Sequence, residues 1–212
     1  GANHLGGGSS ADRGALNGCA GPARVSITNS GPGQSSYQVH DEDVTAAAVH
    51  WLDRLGVQRR AGQMAGPFSL SLGYMLPHMP FIARREDYVK YRSRINPPAH
   101  PRPLDDQVHP FLQWWRRHSG GDGASEEQVL NARAAYWALV TRLDAMIGQV
   151  FQALRDNGLA ENTLVVYTSD HGEQVGEPGV VATVSPCGHG VHSTPPMENV
   201  PAAQIAQSAR AG

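Results

Sequence analysis

The stretch 126–157 constrains the fold more than any other part of this chain. Ala132, Tyr136, Leu139, Val140, Leu143, Met146, Ile147, Val150, Phe151 and Leu154 recur every three or four residues. That period predicts one long helix with a single apolar face. Ser125 and Gln128 fit a capping box at its start, and Asn157-Gly158 fits a stop. A helix this long, apolar on one side, needs a layer to lie on. Residues 164–168, Leu-Val-Val-Tyr-Thr, read as that layer: a short, β-rich and almost wholly apolar run. A buried strand fed by a long helix is the pattern of a parallel sheet covered by helices. The expected fold class is therefore α/β, a parallel-type sheet with flanking helices.

The rest of the chain fits the same class. A helix is expected over 41–55. Asp41, Glu42 and Asp43 suit its N-terminus, Val44, Ala48, Trp51, Leu52 and Leu55 form its apolar face, and Gly56 suits its stop. Phe68, Leu70 and Leu72 alternate with small residues between Pro67 and Gly73, which predicts a strand. It runs into Pro77-His78-Met79-Pro80, a rigid loop leaving a strand end. Residues 92–123 read as a long surface excursion with one helical turn near Phe111 and Trp115. Residues 1–34 read as Gly-rich coil, with one short strand over 25–29.

Charge divides the chain. Of 17 basic and 19 acidic residues, only Asp12, Arg13 and Arg24 fall in 1–34, and only Glu198 and Arg210 in 178–212. The expected organisation is an irregular segment over 1–30, part of a catalytic domain over 31–177, and an irregular tail over 178–212. A net charge of −2 and a pI near 6.6 exclude a global basic field for nucleic acid or anionic lipid. No apolar run approaches the roughly 20 residues of a membrane span. Two cysteines, Cys19 and Cys187, do not make a disulfide framework. No basic-then-apolar leader is visible in 1–20, which leaves the compartment open and favours the cytoplasm.

The chemistry gathers at two strand ends. In open α/β sheets, ligands bind just beyond the carboxyl ends of strands. Asp170 offers a carboxylate and His171 an imidazole, both suited to a divalent cation, and Gly172 lets the chain turn so that both face one ion. The competing reading makes Asp170 a helix N-cap. His78, at the other strand end, suits an oxyanion contact or a general acid. The competing reading is a half-buried histidine packed between prolines.

Three segments together carry a family resemblance. The Phe68-Ser69-Leu70-Ser71-Leu72 run leading into Pro77-His78-Met79-Pro80-Phe81 resembles the sulfatase segment in which a strand enters a Pro-His-x-Pro-Phe loop. Tyr136, Asp144 and Ile147-Gly148 are similar to that family's long helix. Thr168-Ser169-Asp170-His171-Gly172-Glu173 is similar to its metal-binding strand end. The order and spacing are family-like over about 31–177. The resemblance is to the arylsulfatase and choline-sulfatase branch of the alkaline-phosphatase-like superfamily, and it implies part of that superfamily's α/β sandwich.

The resemblance implies a reaction and its parts. A formylglycine made from cysteine in a Cys-x-Pro/Ala-x-Arg motif attacks the sulfur of a small-molecule sulfate ester. A divalent cation, usually calcium with manganese as the variant, holds nucleophile and sulfate. Lysine and histidine neutralise the sulfate. By position, Asp170 and His171 match the late metal ligands, and His78 matches the sulfate-contacting, catalytic histidine. Other parts have no match. Cys19-Ala20-Gly21-Pro22-Ala23-Arg24 has one residue too many for the nucleophile motif. No strand ending in Asp-Asp occurs in 1–40. The only lysine, Lys90, matches no site position, and Cys187, His189 and His192 match no zinc pattern. Beyond Glu177 the family text stops, which points to a reading-frame slip or truncation near Pro178. The expectation is a metal-dependent sulfuric ester hydrolase by resemblance, inactive as this fragment. The alternatives are a phosphonate monoester or phosphodiester hydrolase of the same superfamily, and a non-catalytic remnant.

Overall fold

A computed structural model describes residues 27–64, 66–98, 110, 113–114, 124–169 and 172–173. In chain order these form β1 (Gly31–Pro32), α1 (Ser36–Arg60), β2 (Ile82–Ala83), α2 (Arg85–Arg92) and α3 (Glu126–Asp156), followed by a 3-10 turn at Ala160–Asn162. β1 and β2 pair in parallel, Gly31 opposite Ile82 and Pro32 opposite Ala83. The Gly31 N–H donates to the Phe81 carbonyl at 2.9 Å and the Gly33 N–H to the Ala83 carbonyl at 2.7 Å. Parallel strands need a long crossover, and α1 with the loop after it supplies one. The α/β class is thus present among the described residues as a small sheet with helices around it.

α3 forms as its period and caps dictate. The Ser125 hydroxyl accepts from the Gln128 N–H, and the Gln128 side chain accepts from the Ser125 N–H, at 3.2 and 2.9 Å. This helix is the spine of the fold. Its first half carries Ala132, Ala134, Ala135 and Ala138, all buried, and packs on Tyr37, Leu76, Phe81, Ala83 and Tyr88. Small side chains there let neighbouring backbones approach. Its second half sets Val150, Ala153 and Leu154 against Ala48 and Leu52 of α1. Fully burying a side chain such as Phe81 or Leu52 contributes about 1.5–3 kcal/mol. Glu42 of α1 accepts from Arg84 at 2.7 Å and from Arg142 of α3 at 2.8 Å, which ties three parts of the chain at one carboxylate.

α1 departs from its expected limits at both ends. Its N-cap is Ser35, whose hydroxyl accepts from the Gln38 N–H at 3.3 Å. The Gly- and Ser-rich run before it reads as coil but ends in that cap. Asp41 consequently lies inside the helix and is fully buried, not at an exposed N-terminus. At the other end the helix passes through Gly56 to Arg60. Gly56 is not a stop. It is where Asn157 of the α3 C-cap lies against α1, and a Cβ there would run into the Asn157 side chain.

Two expected strands are absent as ladders. Residues 68–72 and 164–168 are neither helix nor paired strand. A strand exists only by exchanging backbone hydrogen bonds with a neighbour, and no described segment takes that place beside either one. The short strand expected over 25–29 is also not formed in its described part. Ile27 and Thr28 are helical, and Ile27 is buried in the first core cluster. In the 92–123 excursion, Gln113 and Trp114 are helical, in keeping with the expected turn. The segments 1–26 and 178–212 lie outside the described residues.

Candidate functional site

A groove of about 940 Å³ runs along the second half of α3. One wall is 68–78 and the other is 163–169 with Gly172 and Glu173. Its floor is α3, through Tyr136, Leu143, Ile147, Val150, Phe151 and Leu154. The groove is therefore bounded by the two segments whose far ends carry the residues singled out in the sequence.

His78 stands at one end, exposed to solvent. Its loop is held by a buried charge. The Asp41 carboxylate accepts from the Met75 N–H at 2.9 and 3.0 Å and from the Leu76 N–H at 2.8 Å. His40 Nδ1 donates to the same carboxylate at 3.0 Å. Bonds to an ionised acceptor are roughly twice as strong as neutral ones, so α1 fixes the backbone just before the Pro-His-x-Pro turn. The His78 ring stands edge-on to Tyr37, with centroids 5.7 Å apart, and its Nδ1 lies 2.6 Å from the Met79 carbonyl oxygen. A carbonyl can only accept, so Nδ1 carries the proton. Nε2 is then a bare acceptor in neutral imidazole and a donor only in imidazolium. His78 can therefore hold an anion at Nε2 only when protonated. The packed-between-prolines reading does not describe this side chain.

Asp170 and His171 lie outside the described residues. Their neighbours do not: Ser169 on one side and Gly172 and Glu173 on the other line the same groove as His78. Among the described residues, no three His, Cys, Asp or Glu side chains converge as a cation site would require. The described donors alone do not fit a metal.

Tyr136 is a site residue that sequence reasoning took for core. Its phenol is pushed up to about 12, first by burial, then by the Glu173 carboxylate and by Tyr167. It is therefore a neutral hydroxyl, able to donate, on the groove floor. The signal was hidden because Tyr136 also keeps the helical apolar period. Lys90 lies elsewhere. It is exposed on α2 and bonded to Asp87 at 2.7 Å, a contact that raises its pKa. It does not line the groove. Cys19, Cys187, His189 and His192 lie outside the described residues.

The chain belongs to the sulfatase family, whose sequence pattern matches residues 13–204. That match extends past 31–177 at both ends. The multifunctional alkaline phosphatase superfamily protein PehA of Trinickia caryophylli is 34% identical over 130 residues, covering 55% of this chain and 25% of that protein. The choline-sulfatase of Rhizobium meliloti (strain 1021) is 28% identical over 159 residues, covering 73% and 31%. Arylsulfatase K of Danio rerio is 31% identical over 149 residues, covering 64% and 27%. The chain thus spans between a quarter and a third of these relatives' lengths.

Proposed function

We propose that this chain carries part of the sulfate side of a sulfuric ester hydrolase. The observation that carries the reading is the placement of His78. Its exposed ring is oriented by Met79 and Asp41 at the end of the groove that Ser169 and Glu173 also line. As imidazolium, His78 donates from Nε2 to a sulfate oxygen or to the departing alkoxide. Asp170 and His171 are the proposed donors to a divalent cation, calcium with manganese as the variant, by chemistry and by family position. When bound, that ion neutralises sulfate charge; the protein's own part is to hold the carboxylate and imidazole beside Ser169. The 212 residues hold no Cys-x-Pro/Ala-x-Arg motif and no lysine at the groove. The chain by itself is proposed not to turn over sulfate esters.

The test is a sulfate titration of the purified chain followed by the His78 ring resonances, beside an aryl sulfate turnover assay. Sulfate-dependent shifts that weaken at high pH, with no turnover, are expected. Unmoved His78 signals refute the sulfate contact. Turnover abolished by Asp170→Ala refutes the inactivity. A second reading, a phosphonate monoester or phosphodiester hydrolase, is supported by the likeness to PehA, whose name describes a multifunctional protein of the alkaline phosphatase superfamily. Tighter binding of methylphosphonate than of sulfate favours it. An intact fold that binds neither anion nor calcium favours a non-catalytic remnant.

A further inference from the structure

The groove has a second property, independent of any reaction at its mouth. Its walls are lined by consecutive residues, every one from 68 to 78 on one side and from 163 to 169 on the other. Successive side chains of a non-helical segment point to opposite faces. A segment that lines a cavity with each residue in turn therefore presents its backbone edge to it. Among the described residues, 68–73 and 164–168 make no backbone hydrogen bond. Every residue in both runs carries one donor and one acceptor that must find partners when water is displaced.

We propose that the groove is a strand acceptor, which takes one extended apolar segment between its two walls and completes a sheet across α3. The occupant follows from what is unpaired. A helix has spent its backbone groups internally, and a small molecule offers too few. Only extended polypeptide presents donors and acceptors at strand spacing along both of its edges. Six residues of wall correspond to about 20 Å of strand. The floor of Leu143, Ile147, Val150 and Phe151 selects apolar side chains on the strand's inner face. Leu164 and Val166 are 87% and 75% exposed, which extends the apolar surface beside the incoming strand. The segment is assigned to polypeptide that this chain does not contain, because 69–75% of the relatives' lengths lies beyond the matched stretch.

Amide hydrogen exchange on the full 212-residue chain tests this. The probe is a soluble eight-residue peptide of alternating valine and threonine with a terminal lysine. Its control is the same peptide with proline at two central positions. The expected result is unprotected amides over 69–73 and 164–168 in the chain alone. Adding the valine-threonine peptide, but not the proline control, slows exchange about tenfold or more in both runs. The Val166→Pro variant, altered at an exposed position, should lose that protection on both walls while α3 amides stay protected. No protection, or protection of one wall only, overturns the acceptor. Protection before any peptide is added also overturns the assignment. If independent of protein concentration it means the chain fills its own groove, and if concentration-dependent it means a second copy does.

Discussion

Replacing Asp41 separates a carboxylate that holds the His78 loop from one that merely fills space. In Asp41→Ala, the Met75 and Leu76 N–H groups lose their acceptor inside the fold, and His40 loses its partner. Hydrogen bonds to charged groups contribute about 1.5–3 kcal/mol each. Relief from burying the carboxylate offsets part of that, and breaking a buried ionic arrangement from one side usually costs about 3–5 kcal/mol. Asp41→Asn is gentler. An amide oxygen in the Oδ2 position still accepts from both Met75 and Leu76, which lie 3.0 and 2.8 Å from it. Only the amide nitrogen then faces the His40 and Met75 donors, so a loss of about 1–2 kcal/mol is expected. Urea titration should show an unchanged slope and a midpoint lowered by about 1.5–3 M for the alanine variant, and by about a third of that for asparagine. Amide exchange should quicken first at Met75 and Leu76. An alanine variant within about 0.5 kcal/mol of the parent, with those two amides still protected, would refute the reasoning.

Three further outcomes are expected. Gly56→Ala should destabilise by about 1–3 kcal/mol in thermal melts, although alanine is the better helix former by about 1 kcal/mol, because the new methyl meets Asn157. Gln38 is fully buried and neither side-chain amide atom has a partner; Gln38→Leu should therefore raise stability by about 1–2 kcal/mol in urea titration, and a loss would mean the amide is satisfied. Tyr136 is raised to about 12 in the fold, against about 10 when unfolded. The unfolded chain sheds this proton first, so the full contribution is present below about pH 10 and is lost as pH rises towards about 12, some 2 kcal/mol in all after allowance for solvent. Tyr136→Phe should flatten that decline.

What was legible in the sequence was what local rules decide. α3 and its capping box follow from side-chain period and a reciprocal hydrogen bond between neighbours in sequence. His78 stood out because two prolines frame it. What was not legible depends on partners far away. Asp41 reads as a helix-start acid until the Met75 and Leu76 amides arrive beneath it. Gly56 reads as a terminator until Asn157 is seen to need its missing side chain. Residues 68–72 and 164–168 have strand composition, but composition does not supply a neighbour's backbone. Tyr136 shows the same limit at the site, since one periodic position serves both core and groove floor.

The position of α3 also bears on how the chain unfolds. One uninterrupted helix contributes to both apolar clusters, Ala135 and Leu139 to the first, Val150 and Leu154 to the second. Neither cluster can lose its packing without exposing part of the same helix, and a helix frays from its ends more readily than it breaks in the middle. The two halves therefore share one transition despite having separate cores. Damage at Phe81 should be felt at Leu52, transmitted through a rod with no joint between them.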